Sequence, residues 1–336
     1  MIYFITSDVN KYQDLNNEEI QVSDNPYLLH EFVNELLESS TSGKIKLGVD
    51  TETRGFDPYV SDLLLLQIGN YDYQFVIDCV SIDITKYYKD ILENPNIIQI
   101  GHNYKFDLRF FYHKNIYPNS VIDTYIQECI LNRGKSLISG FRGLDECCKR
   151  YLNVNLDKTI RGNIHKEGLS TRVIKYAADD VKYLETIREK QLEQVQYWQL
   201  EKVVWLENEV TKVFAKIEYD GILINQDKWL EVSKVTEANT VKCIKELDDI
   251  VLNEPKLIKW CPKYVQTNMF GFEERIITIN WSSNSQKLKL LQALGLEIED
   301  VGERTLQRNK SKHPIVPKLI EYVKNAKLAT AFGRTF

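Results

Sequence analysis

The sequence predicts an α/β fold: a mixed β-sheet flanked by helices, followed by a mainly helical region. Three observations lead there. Short runs rich in leucine and β-branched residues alternate with helical stretches through the first half. Two of these runs, "LLLLQIGN" and "YQFVIDCV", are joined by little more than "NYD", a hairpin turn that makes them antiparallel, whereas later runs are separated by helices, as parallel strands require. From about Leu169 onward, apolar residues recur at helical spacing almost without interruption.

Taken in order, "MIYFIT" reads as a strand, and a polar connection leads to a helix over "PYLLHEFVNELLES". "KIKLGVDTET" and the hairpin pair come next as strands. "NIIQIGHN" is a further strand and feeds a helix starting near Tyr104. "SVIDT" is a short strand before the helix "YIQECILNRG", which Gly134 closes. "STRVIKYAADDVKYLETIREKQLEQVQ" reads as one long helix capped by Ser170, and "WQLEKVVWLENEVTKVFAKIEYDG" as another ending at Gly221. "ILINQDKWLEVS" predicts a short strand and then a third long helix. Prolines, aromatics and a β-like "RIITINW" interrupt the pattern over 254–282. The helices "SNSQKLKLLQALGL" and "PIVPKLIEYVKNAKLATAF" close the chain.

A chain of 336 residues suggests two domains, and 43% hydrophobic with 27% charged residues supports packed cores. The apolar stretch "DLLLLQIG" is too short to span a bilayer, and the N-terminus lacks the basic lead-in of a signal peptide. Six cysteines form no C-x-x-C pair, which argues against a zinc site and for reduced thiols in a cytosolic protein. The net charge of −5 excludes binding of nucleic acid by overall charge alone; local patches or metal ions must do that work.

Three motifs carry chemistry. In "LGVDTETRGF", Asp50 and Glu52 stand two apart on a strand, so both point to one face, where a cation or a shared proton must relieve their repulsion. In "IGHNYKFDLRFF", Asn103 and Asp107 lie four apart at a helix start and share a face, with Phe106, Phe110 and Phe111 packing inward. In "YAADDVKYL", Tyr176 and Asp180 project together while Asp179 points about 100° away, as a solvated neighbour. Four converging carboxylates suit a pair of divalent cations, which clamp the attacking and leaving oxygens of a phosphoryl transfer.

These motifs resemble those of the 3′–5′ exonucleases named for their four acids, D-E-D-D, in the tyrosine-bearing subclass. Asp50-Thr51-Glu52, Asn103-x-x-x-Asp107 and Tyr176-x-x-x-Asp180 match in order, over roughly residues 40–195. The resemblance implies a ribonuclease H-like sheet and two Mg²⁺ or Mn²⁺ ions. Asp50, Glu52 and Asp180 would hold the ion carrying the attacking water. Asp50 and Asp107 would hold the other, beside the leaving 3′ oxygen, and Tyr176 would position the water. Thr53, Phe56, Asn103, Lys105 and Phe106 match substrate-contacting positions, with Phe56 as an apolar wedge between terminal bases. His102 departs from the glutamine common in relatives. Basic residues Arg142, Lys149, Arg150, Lys158, Arg161, Lys166, Arg172 and Lys175 flank the third motif as a candidate phosphate rim.

Within that superfamily, the second half favours proofreading domains of family A DNA polymerases. "VFAKIEYDGILINQDKWLEVS" and "INWSSNSQKLKLLQALGL" resemble the segments C-terminal to the exonuclease there, including a thumb. The expected organisation is an exonuclease domain over 1–196 and a thumb-like region over 197–336, with palm and fingers motifs absent and no polymerisation by this chain alone. The expected substrate is a single-stranded or frayed 3′ end of DNA or a primer–template. The expected partner is a missing polymerase portion, and the setting a phage-like or split polymerase in the cytoplasm, the host's if phage-encoded. The alternatives are a free-standing ribonuclease D-like exoribonuclease and a non-catalytic scaffold; the scaffold is disfavoured because unneutralised acids would burden a decayed site.

Overall fold

A computed structural model describes residues 1–135, 140–157, 168–260, 265–267, 273–275, 277–331 and 333. The chain forms two compact units, Met1–Gly221 and Ile222–Phe336. In the first, the elements run β1 (Ile2–Ile5), β2 (Ile20–Ser23), α1 (Leu28–Ser39), β3 (Ile45–Thr53), β4 (Leu63–Gly69) and β5 (Gln74–Asp78). Single-turn helices α2 (Ile84–Tyr87) and α3 (Lys89–Leu92) precede β6 (Ile97–Gly101), α4 (Lys105–His113), β7 (Ser120–Asp123) and α5 (Thr124–Leu131). Helices α6 (Leu144–Leu152), α7 (Thr171–Lys182), α8 (Leu184–Tyr197) and α9 (Glu201–Asp220) complete it.

The seven strands lie in the order β2-β1-β5-β4-β3-β6-β7. The β3–β4 and β4–β5 pairs are antiparallel, and the other four pairs parallel. This is the expected mixed sheet with one strand more: β2 alternates apolar and polar residues but over only four positions, too short a run to stand out within the polar connection. Alternation then sorts the sheet faces. Leu47, Val49, Leu66 and Ile68 enter one core with Tyr88, Tyr104, Leu108 and Phe111, while Leu65 and Val76 enter another with Val173, Ile174 and Ala177.

Ser170 caps α7 by accepting from the Val173 N–H. The expected single helix breaks at Tyr183, although no glycine or proline marks the spot. Its two parts serve different cores: Val173, Ile174 and Ala177 pack on the sheet, and Leu184 and Ile187 pack with Ile100, Leu144 and Cys147.

Helix α9, assigned on sequence to the second region, lies in the first unit. It turns Asn208, Thr211 and Ala215 inward and leaves Trp205, Val213, Phe214 and Ile217 exposed. Polar contacts fasten it: Asp123 N–H donates to Asn208 Oδ1 at 2.7 Å, and Tyr112 Oη donates to the Lys212 carbonyl at 3.2 Å. Gly221, at φ +68°, ends it.

In the second unit the strand expected at 222–224 does not form. Helix α10 (Gln226–Asn253), capped by Asn225, packs against α13 (Ile315–Ala331) around Leu247, Val251, Leu319 and Tyr322. Strands β8 (Val265–Thr267) and β9 (Glu273–Arg275) form a small antiparallel pair, and among the described residues of the β-like run "RIITINW" only Arg275 lies in a strand, 277–280 having no regular structure. Helices α11 (Asn284–Ala293) and α12 (Glu303–Arg308) fill the interval to α13. No helix among the described residues is long and apolar enough to cross a membrane.

Candidate active site

The C-terminal end of β3 carries Asp50 and Glu52 on the face that α7 covers. Gly48, on the same face, allows that approach, since a Cβ there would lie 2.4 Å from the Val181 carbonyl oxygen. Helix α7 thereby delivers Asp180, and carboxylate oxygens of Asp50, Glu52 and Asp180 lie within 4.8 Å of one another. Among the described residues this is the group of acids able to hold a metal ion. Three hard oxygen donors on a shared point fit Mg²⁺ or Mn²⁺ and suit softer metals poorly.

Tyr176, one turn before Asp180, lines the same cleft of about 600 Å³. Burial, then the charges of Asp180, Glu52 and Asp50, hold its phenol well above the ordinary range, so it is a neutral hydroxyl at physiological pH. Asp179 is half-buried rather than fully solvated, and burial raises its carboxyl.

Asp107 comes from α4 and lines the cleft, but it stands outside the group of three. Thr51, which points to the opposite sheet face from Asp50 and Glu52, donates its hydroxyl to the Asp107 carboxylate. Burial pushes Asp107 up to about 7, with the Thr51 bond opposing it.

The loop ahead of α4 is set by Asp123. Its carboxylate accepts from the N–H groups of Asn103 (2.9 Å) and Tyr104 (2.8 Å), and it caps α5 through Tyr125 and Ile126. Burial pushes Asp123 up to about 6 against these four bonds. The clamp helps Asn103 hold φ +63°, a left-handed conformation that asparagine tolerates better than most residues.

Of the substrate-contacting candidates, Thr53, Phe56, Asn103 and Phe106 line the cleft. Phe56 is 84% exposed, which removes a core role. Lys105 does not line it; its ammonium pairs with Glu218 on α9. His102 lines it with its ring fixed: Thr124 Oγ1 gives its proton to the Gly101 carbonyl, so His102 Nδ1 donates to Thr124 at 2.9 Å.

Of the five rim residues that are described, three pair with acids. Arg150 pairs with Glu128, Arg172 with Asp157 and Lys175 with Glu19, while Lys158, Arg161 and Lys166 lie outside the described residues. Sequence reasoning missed Thr51, Tyr125, Leu144 and the Asp123 clamp. Only the last had a signal, an aspartate between a strand and a helix, which is an N-cap pattern.

The profile of a 3′–5′ exonuclease family matches residues 20–196. The DNA polymerase I of Aquifex aeolicus is 26% identical over 219 residues, covering 60% of this chain and 36% of that protein. A ribonuclease D of Sphingobium indicum is 26% identical over 179 residues, covering 52% of this chain and 44% of that protein. The chain thus spans less than half the length of these relatives. The polymerase domain of Pol1 from M. smegmatis shares the fold with a TM-score of 0.63, at 15% identity, over 92% of this chain and 48% of that one.

Proposed function

Because this chain belongs to the 3′–5′ exonuclease family matched by residues 20–196, we propose that it hydrolyses the terminal phosphodiester of a single-stranded or frayed DNA 3′ end, releasing 5′-mononucleotides. The observation that carries this reading is the convergence of Asp50, Glu52 and Asp180 beside Tyr176 in one cleft. Asp50, Glu52 and Asp180 would hold one divalent ion, and Asp50 with Asp107 a second. Bound there, such ions supply a water nucleophile at neutral pH and stabilise the leaving oxygen.

The chain's own residues do the rest. Tyr176, kept neutral by its surroundings, offers a hydroxyl that orients the attacking water. Asn103 and Thr53 face the terminal nucleotide, and Phe56 and Phe106 present rings 6.3 Å apart on which its base can lodge. The likeness to DNA polymerase I supports a proofreading role, and the resemblance of "INWSSNSQKLKLLQALGL" to a thumb segment supports a thumb-like region after the exonuclease. The likeness to ribonuclease D supports a second reading, an exoribonuclease using the same acids.

The test is degradation of 5′-labelled single-stranded DNA and matching RNA, with Mg²⁺, Mn²⁺ or EDTA, by the parent and Asp50→Ala. Metal-dependent laddering from the DNA 3′ end, lost in the variant, is the expected result. Faster cutting of RNA assigns the protein to the ribonuclease side. No cleavage of either by a folded protein refutes the enzyme and leaves a scaffold.

A further inference from the structure

We propose that a strip of aromatic rings leading away from the acidic cleft holds the single strand upstream of the 3′ end, an inference that rests on the exonuclease reading. The strip begins in the cleft wall. Phe56 meets Phe106 edge-on, and its carbonyl accepts from Arg109 at 3.4 Å, whose guanidinium lies 5.5 Å from the Phe106 ring. The same loop then presents Tyr59, 57% exposed, stacked on Tyr219 at 5.1 Å with ring planes 6° apart. Tyr219 leads through Tyr112, at 6.2 Å, to Tyr117, which stacks on Tyr112 at 5.5 Å. Cations attend the far end: Lys216 lies 5.7 Å from the Tyr219 ring and Lys89 5.7 Å from the Tyr117 ring.

A hydrophobic core does not account for rings left this open to water on Phe56, Tyr59 and Tyr117. Exposed aromatic faces of this kind stack nucleic-acid bases whatever their sequence. Lys216 and Lys89 now pair with Asp220 and Glu93, and Arg109 lies 3.9 Å from Glu218. Such partly exposed pairs are weak, so a phosphate takes a carboxylate's place at little cost. Continuity with the cleft identifies the occupant as the strand whose 3′ end the cleft receives, not a separate ligand.

The experiment is fluorescence anisotropy of the full chain in EDTA, with labelled oligo-dT and oligo-rU as a trinucleotide and at about twelve residues. The readout is the ratio of the two affinities. In the parent the longer strand is expected to bind at least about fivefold tighter, the low end of what one stacked base contributes. Tyr59→Ala combined with Tyr117→Ala is expected to bring the ratio close to one, and Tyr59→Phe, which keeps the ring, to preserve it. A double variant with the parent's ratio overturns the strip while metal-dependent 3′ cleavage keeps the exonuclease reading intact. A parent that neither binds nor cleaves any strand overturns both.

Discussion

Replacing Asp107 by asparagine should make the metal-free protein more stable at alkaline pH while abolishing its activity. The Asp107 carboxyl ionises at about 7 in the folded chain, against an ordinary value of 3.8. Its folded value is raised, so between those two values the native state holds a proton that the unfolded chain has lost. Stability therefore falls as pH rises through this window and stays low above it. A rise of this size corresponds to a penalty of about 2–4 kcal/mol above pH 7, allowing for relaxation around the buried charge. Asparagine carries no such penalty. In a unit of this size each kcal/mol moves the melting temperature by about 2–4 °C, so the variant is expected to melt about 4–16 °C above the parent at pH 8 in EDTA. At pH 4 the two should nearly coincide. Asp123, raised in the same direction, is common to both proteins and cancels in the difference. Mg²⁺ or Mn²⁺ should then raise the parent at pH 8 more than the variant. The assay is calorimetry of both proteins across that range. A gap that does not widen with pH, or a variant that melts below the parent at pH 8, would refute the electrostatic account.

Three further outcomes are expected. Gly48→Val places atoms against the Val181 carbonyl, where a Cβ alone would sit 2.4 Å away, so α7 must retreat by about 1 Å; kcat should fall about a hundredfold, and unchanged kcat with a lowered melting temperature would show that Asp180 does not move with the helix. Tyr176→Phe removes the hydroxyl while keeping the ring, and steady-state kinetics on a short strand should show kcat lower by about a hundredfold with KM little changed. A fragment ending at 221 should give a cooperative melting transition, whereas one ending at 196 should not, because it strands the partners of Asn208 and uncovers the surface under Ala215.

The site was legible because its residues obey simple periods. Asp50 and Glu52 alternate on a strand, and Tyr176 and Asp180 repeat on a helix, so each pair shares a face whatever the tertiary structure. Asp107 was legible as an acid but not in its posture, since its Thr51 partner reaches it from the other side of β3. The ion pair of Lys105 was not legible for a related reason: its Glu218 partner lies far away in sequence. Helix α9 escaped its proper unit on sequence because hydrophobic periodicity points to its exposed side. Its inward face is held by Asn208 and the Lys212 carbonyl, which no apolar pattern announces. The break at Tyr183 left no trace at all, because it reflects two cores competing for one helix.

The Asp123 clamp has a consequence for biosynthesis. A chain emerging from the ribosome carries Asp50, Glu52, Asp107 and Asp180 before it carries Asn208, the residue that receives the Asp123 N–H from 85 positions downstream. The loop bearing Asn103 is fixed by Asp123, and Asp123 is fixed in turn by α9. Hydrolytic competence is therefore expected to arrive only after the last helix of the first unit has cleared the exit tunnel and docked. Nascent chains stalled before that helix should hold all four acids and still leave nearby nucleic acid uncut.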